Sequence, residues 1–357
     1  MRVLYFGTYE RDYPRNAQVI SCLRRAGVEV VERHEPVWES TPHKWTAGGR
    51  TALRLAVAET RLALRRRPRD FDAVVVGYPG QLDVPAARLA AGNRPLVFNP
   101  LVSLSDTLVA DRRRFAPGSA AARALGAIDR YALRRADLVV ADTDANADYL
   151  ADLGGIGRER VAVCFVGAEE RVFRPIWEAP ERFHAVFVGK LIPLHGLETI
   201  LEAARLESDI PFRIVGSGQL EPLMRNAPAN VERVSWIEYE ELPGELGRAG
   251  CALGVFGTGA KAGRVIPNKA FQALACGTPL VTADTPAARE LLEDGTSALL
   301  VPPGDAAALA AAVRRLAADV ELATRIGAGG LAAYRRNASE EVLGTRWRGL
   351  LERLLAR

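Results

Sequence analysis

Lys190, His195 and the turn Gly216-Ser217-Gly218 are residue types that can hold a phosphate. An ammonium, an imidazole and the amides of a glycine turn can together neutralise and hydrogen-bond an oxyanion. Lys269 adds a second ammonium, directly after Asn268 and at the start of an apolar helical run. A cation at a helix N-terminus works against the helix dipole at about 0.3–1 kcal/mol, and a bound anion reverses that sign. Taken singly, these features read as loop residues, tight turns and a lysine swinging into solvent. Their joint placement points to one anion site.

That placement comes from the stretch 183–219, FHAVFVGKLIPLHGLETILEAARLESDIPFRIVGSGQ. Ala185–Val188 is an apolar run of strand length, broken by Gly189-Lys190. A helix opens at His195-Gly196, with Leu197, Ile200, Leu201 and Ala204 on one apolar face. Ile210-Pro211 ends the connection. Phe212, Ile214 and Val215 form a second buried strand, which stops at the Gly-Ser-Gly turn. The unit is β-α-β, so its strands should be parallel. Open parallel sheets bind ligands outside the carboxyl ends of their strands, where Lys190, His195 and the turn all fall.

A chain of 357 residues has room for two domains. Its 48% hydrophobic and 25% charged content is that of a globular protein. No apolar stretch approaches the ~20 residues of a membrane span. Met1-Arg2 runs straight into a first strand, so no leader peptide is expected. Cys22, Cys164, Cys251 and Cys276 lack metal spacing and read as reduced, buried thiols of a cytoplasmic protein. Four scattered histidines offer no multi-histidine site, and no metal is expected. The net charge of +4 suits an anionic ligand or an anionic membrane surface. No nucleic-acid partner is expected.

The first half alternates strands and helices. Strands are predicted at 3–6, 28–31, 73–76, 96–98, 138–141 and 161–166. Gly7, after the first, is where a ligand could approach the backbone closely. Asp106 lies after the 96–98 strand and is a candidate for contact with substrate. Within 38–69, Leu53, Ala56, Val57, Leu62 and Leu64 alternate with Arg50, Arg54, Arg61 and Arg65–Arg67. This basic amphipathic helix could be an ordinary solvated face or could lie on an anionic membrane. Residues 173–180 read as a linker flanked by prolines. In the second half, strands are predicted at 231–236, 251–256, 280–282 and 298–301. Asn268 is read as the N-cap of a helix that turns Phe271 and Leu274 inward and stops at Gly277-Thr278-Pro279. Asp305 should cap an alanine-rich helix, and Ser339 should begin the final one.

In combination these motifs resemble the retaining GT-B glycosyltransferases of family 4. VFVGKLIPLHG is similar to that family's V-G-R-L-x-x-x-K-G, and FRIVGSGQ to its strand and G-x-G turn. ALACGTPLVT and DGTSALLVPPGD resemble its closing motifs, and ADLVVADTDANADYL with VGAEERVFRP its interdomain region. GKLIPLHG with VIPNKAFQAL resembles one branch of the group. The resemblance implies two Rossmann-like domains facing across a cleft. An acceptor domain would span 1–175 and a donor domain 176–338, with a crossing helix at 339–357 returning to the first. It also implies a nucleotide-sugar donor, an unknown glycan or lipid-linked acceptor, no metal and no cofactor. The family's basic arginine and lysine correspond here to Lys190 and His195. Its two glutamates, eight positions apart, correspond to Arg264 and Gln272.

The implied reaction is retaining transfer from a nucleoside diphosphate sugar. Lys190, His195 and Lys269 would stabilise the leaving diphosphate, with backbone at Gly7, Gly189, Gly216, Ser217, Gly218 and Asn268 lining it. Gln272 would reach a ribose hydroxyl, Arg264 a phosphate or a sugar carboxylate, and Asp106 would orient the acceptor. Two other readings of the same fold stay open. One is a nucleotide-sugar epimerase, which needs acid and base carboxylates near the sugar. The other is a non-catalytic GT-B subunit supporting a partner. The expected location is cytoplasmic, peripheral at the inner membrane face.

Overall fold

Short apolar runs between glycines and helices build two parallel sheets. The computed structural model describes residues 1–38, 49–64 and 70–356. Its residues divide into two compact units, Met1–Val166 with Glu340–Arg357, and Gly167–Ser339.

In unit 1 the strands are β1 (Arg2–Gly7), β2 (Glu29–His34), β3 (Ala73–Val76), β4 (Leu96–Phe98), β5 (Leu138–Ala141) and β6 (Val161–Val163). The helices are α1 (Pro14–Arg25), α2 (Gly49–Leu64), α3 (Val84–Ala91), α4 (Ala120–Arg135) and α5 (Asp144–Gly154). The sheet order is β2-β1-β3-β4-β5-β6, with every pairing parallel. β3 and β4 are buried at every residue, which is why they read as unbroken apolar runs rather than alternating ones. The core gathers Leu4, Phe6, Val74, Val76, Phe98 and Val139.

Unit 2 contains β7 (Ala185–Val188), α6 (Leu197–Leu206), β8 (Phe212–Val215), β9 (Val231–Val234), α7 (Leu242–Arg248) and β10 (Cys251–Leu253). Then follow α8 (Asn268–Cys276), β11 (Leu280–Ala283), α9 (Pro286–Arg289), β12 (Leu299–Val301), α10 (Ala306–Ala318) and α11 (Val320–Asn337). Its sheet runs β12-β11-β10-β7-β8-β9, again all parallel. The β-α-β unit expected at 183–219 is β7-α6-β8, with Val188 in register with Val215. The Asp305 carboxylate accepts from the Ala308 amide at 2.9 Å, the N-cap expected for α10.

Three boundaries differ from the sequence reading. The units part at Val166/Gly167 rather than at residue 175. Phe173 is buried and sets its ring edge-on to Tyr239, so part of the expected linker packs as core of unit 2. Pro267, not Asn268, is the N-cap of α8, because proline already holds the extended backbone that a cap needs. The final helix, α12 (Glu340–Leu355), lies on α1, where Gly344 lets the Cys22 carbonyl approach. Arg25 pairs with Glu340 there at 3.1 Å.

Candidate functional site

The order of the second sheet reverses between β7 and β10, and a ligand crevice opens outside the carboxyl ends of strands at such a point. Gly189 follows β7 there at φ +145. A Cβ on Gly189 would lie 2.8 Å from Lys269 Nζ and 3.6 Å from His195 Cε1. The missing side chain is what allows the ammonium, the imidazole and the β7 backbone to converge. His195 is buried in the turn Pro193–His195, and its Nδ1–H donates to the Lys190 carbonyl. That bond sets the ring edge-on to Phe187. The Lys190 side chain is exposed. Gly196 and Gly257 let this loop close against the end of β10: a Cβ on Gly196 would lie 2.6 Å from the Phe256 carbonyl carbon.

The Gly216-Ser217-Gly218 turn runs beside this loop. Gly189 N donates to Val215 O, Leu191 N to Ser217 O, and Gly216 N to Val234 O. Gly216 is therefore committed to holding two loops together, since a Cβ there would lie 2.0 Å from the Gly189 carbonyl oxygen. Ser217 and Gly218 are exposed.

Helix α8 delivers Lys269. Its residue is 91% buried, yet its Nζ finds no hydrogen-bond partner and sits 3.5 Å from the centroid of the Phe187 ring. Burial alone drives its pKa well below the usual lysine range. An amine without an acceptor in a closed environment is costly. Pro267 supplies no side-chain cap, so the first amides of α8 have no intrahelical acceptor. Gln272, also on α8, is buried against the Tyr239 hydroxyl, whose pKa burial pushes up to about 12. Arg264 ends the turn Ala262–Arg264, which packs on α9.

The first sheet reverses between β1 and β3, where Gly7 and the segment 77–83 meet. The close approach that Gly7 permits belongs to Asp83: a Cβ on Gly7 would lie 2.3 Å from Asp83 Oδ2. The Thr8 amide and hydroxyl donate to Asp83 at 3.0 and 2.9 Å, and Trp38 Nε1 donates to the Thr8 hydroxyl. Glu59 of α2 lies against Asp83, and burial with that neighbouring charge drives its pKa far up. Glu59 therefore keeps its proton at neutral pH. The Asp83 carboxylate thus fills the space that the missing side chain of Gly7 leaves. An apolar cavity of about 70 Å³ lies alongside, lined by Trp38, Leu55, Pro79, Leu82 and Leu104. Asp106 opens the π-helical turn Asp106–Asp111, whose amide the Ser103 hydroxyl receives at 3.0 Å.

Of the residues expected from sequence, unit 2 gathers Gly189, His195 and Lys269, with Lys190 adjacent and the Gly216–Gly218 turn alongside. Gln272 lies further along α8, against Tyr239. Gly7 and Asp106 belong to unit 1. Sequence reasoning missed Phe187, which looks like any core residue of a strand, and the Glu59–Asp83 pair, whose members are held together only by the fold. Among the described residues no group of histidine, cysteine and carboxylate side chains is arranged to hold a metal. No helix among them is long and apolar enough to cross a membrane.

Comparison with known proteins bears on both units. Residues 182–319 match the family described as glycosyl transferases group 1, and residues 2–167 match the glycosyl transferase 4-like domain. A D-inositol 3-phosphate glycosyltransferase of Catenulispora acidiphila is 26% identical over 92% of this chain and 80% of its own length. A phosphatidyl-myo-inositol mannosyltransferase of Mycobacterium leprae is 32% identical over 42% of this chain, which spans 41% of that relative. Sucrose-phosphate synthase of Thermosynechococcus elongatus superposes with a TM-score of 0.75 at 18% identity, covering 99% of both chains. Anabaena HepE, solved with UDP and glucose, superposes at 0.71 with 15% identity over 98% of this chain and 99% of its own. With two matched domains and the doubly built parallel sheets, the chain belongs to the group 1, family 4 glycosyltransferases of GT-B fold.

Proposed function

We propose that this protein moves a sugar from a uridine diphosphate sugar to a hydroxyl of a glycan or lipid-linked precursor, as a cytoplasmic enzyme at the inner membrane face. The observation that carries the donor site is the buried, unpartnered Lys269 amine beside Gly189 and His195 at the reversal point of the second sheet. A diphosphate supplies the acceptors that this amine lacks. HepE, solved with UDP and with UDP-glucose, supports uridine as the base. The relative named a phosphatidyl-myo-inositol mannosyltransferase supports a lipid-linked acceptor.

Breaking the anomeric C–O bond places negative charge on the leaving diphosphate. Lys269, Lys190, His195 and the first amides of α8 stabilise that charge more in the transition state than in the ground state. The leaving phosphate oxygen takes the acceptor's proton on the same face, so the sugar keeps its configuration and no side-chain base is needed. Asp106 orients the acceptor hydroxyl. Gln272 turns from Tyr239 to the ribose, and Arg264 reaches a phosphate or a carboxylate on the sugar.

A thermal-shift screen of nucleoside diphosphates and their sugars tests the donor reading. A ligand at ~100 times its dissociation constant stabilises by ~2.7 kcal/mol. The expected result is a shift with UDP, enlarged by one UDP-sugar and reduced in Lys190→Ala. No shift with any nucleotide would refute it and favour a non-catalytic subunit.

A further inference from the structure

Helix α2 has two apolar faces, and only one is used. Leu55, Ala58 and Leu62 are buried, the first two packed with Val37. Leu53, Val57 and Leu64 point away, 68%, 42% and 80% exposed. At about 100° per residue these three fall within an arc of roughly 40°. Arg61 and Arg54 border that arc at roughly 80–100° from Leu53 on the same wheel. Both arginines are exposed, and the ion pair from Arg61 to Glu35 is long at 3.8 Å. In sequence Arg65, Arg66, Arg67 and Arg69 follow Leu64 and lie outside the described residues.

An outward stripe of large apolar side chains on a surface helix costs solubility and does nothing for the core. Three such side chains in one narrow arc need a covering surface. The bordering arginines choose among coverings: they suit an anionic lipid interface, where apolar side chains enter the acyl boundary and guanidinium groups meet phosphates. A second copy of this chain would set the same arginines against each other.

We propose that unit 1 docks on anionic membranes through the Leu53–Val57–Leu64 face of α2, with Arg54 and Arg61 at the headgroups. The inference rests on the reading of a lipid-linked acceptor and assigns it a surface. The other face of the same helix places Leu55 in the small apolar cavity with Trp38, Leu82 and Leu104, so that face is already committed to unit 1.

The test is co-sedimentation of the full chain with vesicles of phosphatidylcholine alone or with 30% phosphatidylglycerol (about a third anionic, a composition that raises surface potential). Binding to the anionic vesicles at low salt, reversed by ~0.5 M salt, is expected. Leu53→Ser with Leu64→Ser should weaken it at least tenfold. Arg54→Gln with Arg61→Gln should remove the preference for anionic lipid. UDP binding, measured on the same preparations, should be unchanged in all variants, so the membrane surface and the donor site fail or stand separately. Absence of binding at low salt would overturn the proposal. So would equal binding to both vesicle types, or a dimer in sedimentation that the serine variants dissociate.

Discussion

Replacing Lys269 by methionine should make the unliganded protein more stable and the donor site worse. Methionine is unbranched and only one atom shorter, and its soft thioether end packs well near an aromatic ring such as Phe187, while an amine that has no acceptor is removed. Leaving a buried donor unsatisfied costs about 1–3 kcal/mol, so the variant should gain about that much. In a domain of this size that is about 2–4 °C per kcal/mol. The sign with pH follows from burial, which lowers the folded-state pKa of Lys269 below that of the unfolded chain. Between the two values the unfolded chain holds a proton that the folded chain does not, so wild-type stability rises with pH. The advantage of the variant should therefore shrink as pH climbs toward the ordinary lysine range. Donor binding runs the other way. A diphosphate draws a proton onto Lys269, so affinity should fall as pH rises, by up to about tenfold per unit. Lys269→Met should abolish that slope and weaken UDP roughly 10–150-fold, the loss of one charge-assisted hydrogen bond of about 1.5–3 kcal/mol. Scanning calorimetry of the free protein reads the first effect. Titration calorimetry in buffers of different ionisation enthalpy reads the second as proton uptake. A variant less stable than wild type that binds UDP equally well would refute the reasoning, because Lys269 would then be a structural residue.

Gly189→Ala should cost about 1–3 kcal/mol, since φ is +145 there, and should weaken UDP at least roughly tenfold by displacing the Lys269 amine 2.8 Å away. Gly216→Ala should cost more, because its Cβ meets the Gly189 carbonyl oxygen at 2.0 Å and backbone cannot swing aside; thermal midpoints of the two variants check the order. Glu59→Gln should flatten the alkaline side of the stability curve. Burial holds a proton on Glu59 that the unfolded chain releases in the ordinary carboxylate range, so wild type loses stability as pH rises, and a glutamine has no proton to titrate. Thermal midpoints of both proteins from pH 6 to 9 would expose a wild-type curve that is already flat, which would sink the reading of a protonated Glu59.

The sheets were legible because burial on both faces leaves no polar residues to interrupt a strand. Ala73–Val76 and Leu138–Ala141 could be read to the residue for that reason. Strand ends were less so: the apolar runs at 161–166 and 251–256 continue past the last ladder pairing, because the loops that leave β6 and β10 are themselves buried. Glycines gave the positions of close approach but not what approaches. Gly189 and Gly7 look alike in sequence and have similar φ, +145 and +136. One makes room for an ammonium and an imidazole, the other for a carboxylate.

The helix at 49–64 shows the same limit from another side. In sequence, Leu53, Val57, Leu62 and Leu64 form one apolar set among arginines, and either a solvated or a membrane-facing helix accounts for them. The fold separates the set, burying Leu62 completely and leaving Leu64 80% exposed two residues on. Helical periodicity alone permits that split, since two residues are about 200° apart on the wheel. It cannot say which side meets the core. The decision comes from Val37, Leu55 and Ala58, which claim one face and so turn the other outward. At Lys269 the logic is parallel. A lysine after a proline can swing into solvent or point inward, and the core places Phe187 and Gly189 where the inward choice is made. In both places the fold spends stability on an arrangement that packing does not require. An unmatched amine and an uncovered apolar stripe are each costly alone; an anion removes the first cost and an apolar covering the second. The donor diphosphate and the lipid interface proposed above are the complements that would do so.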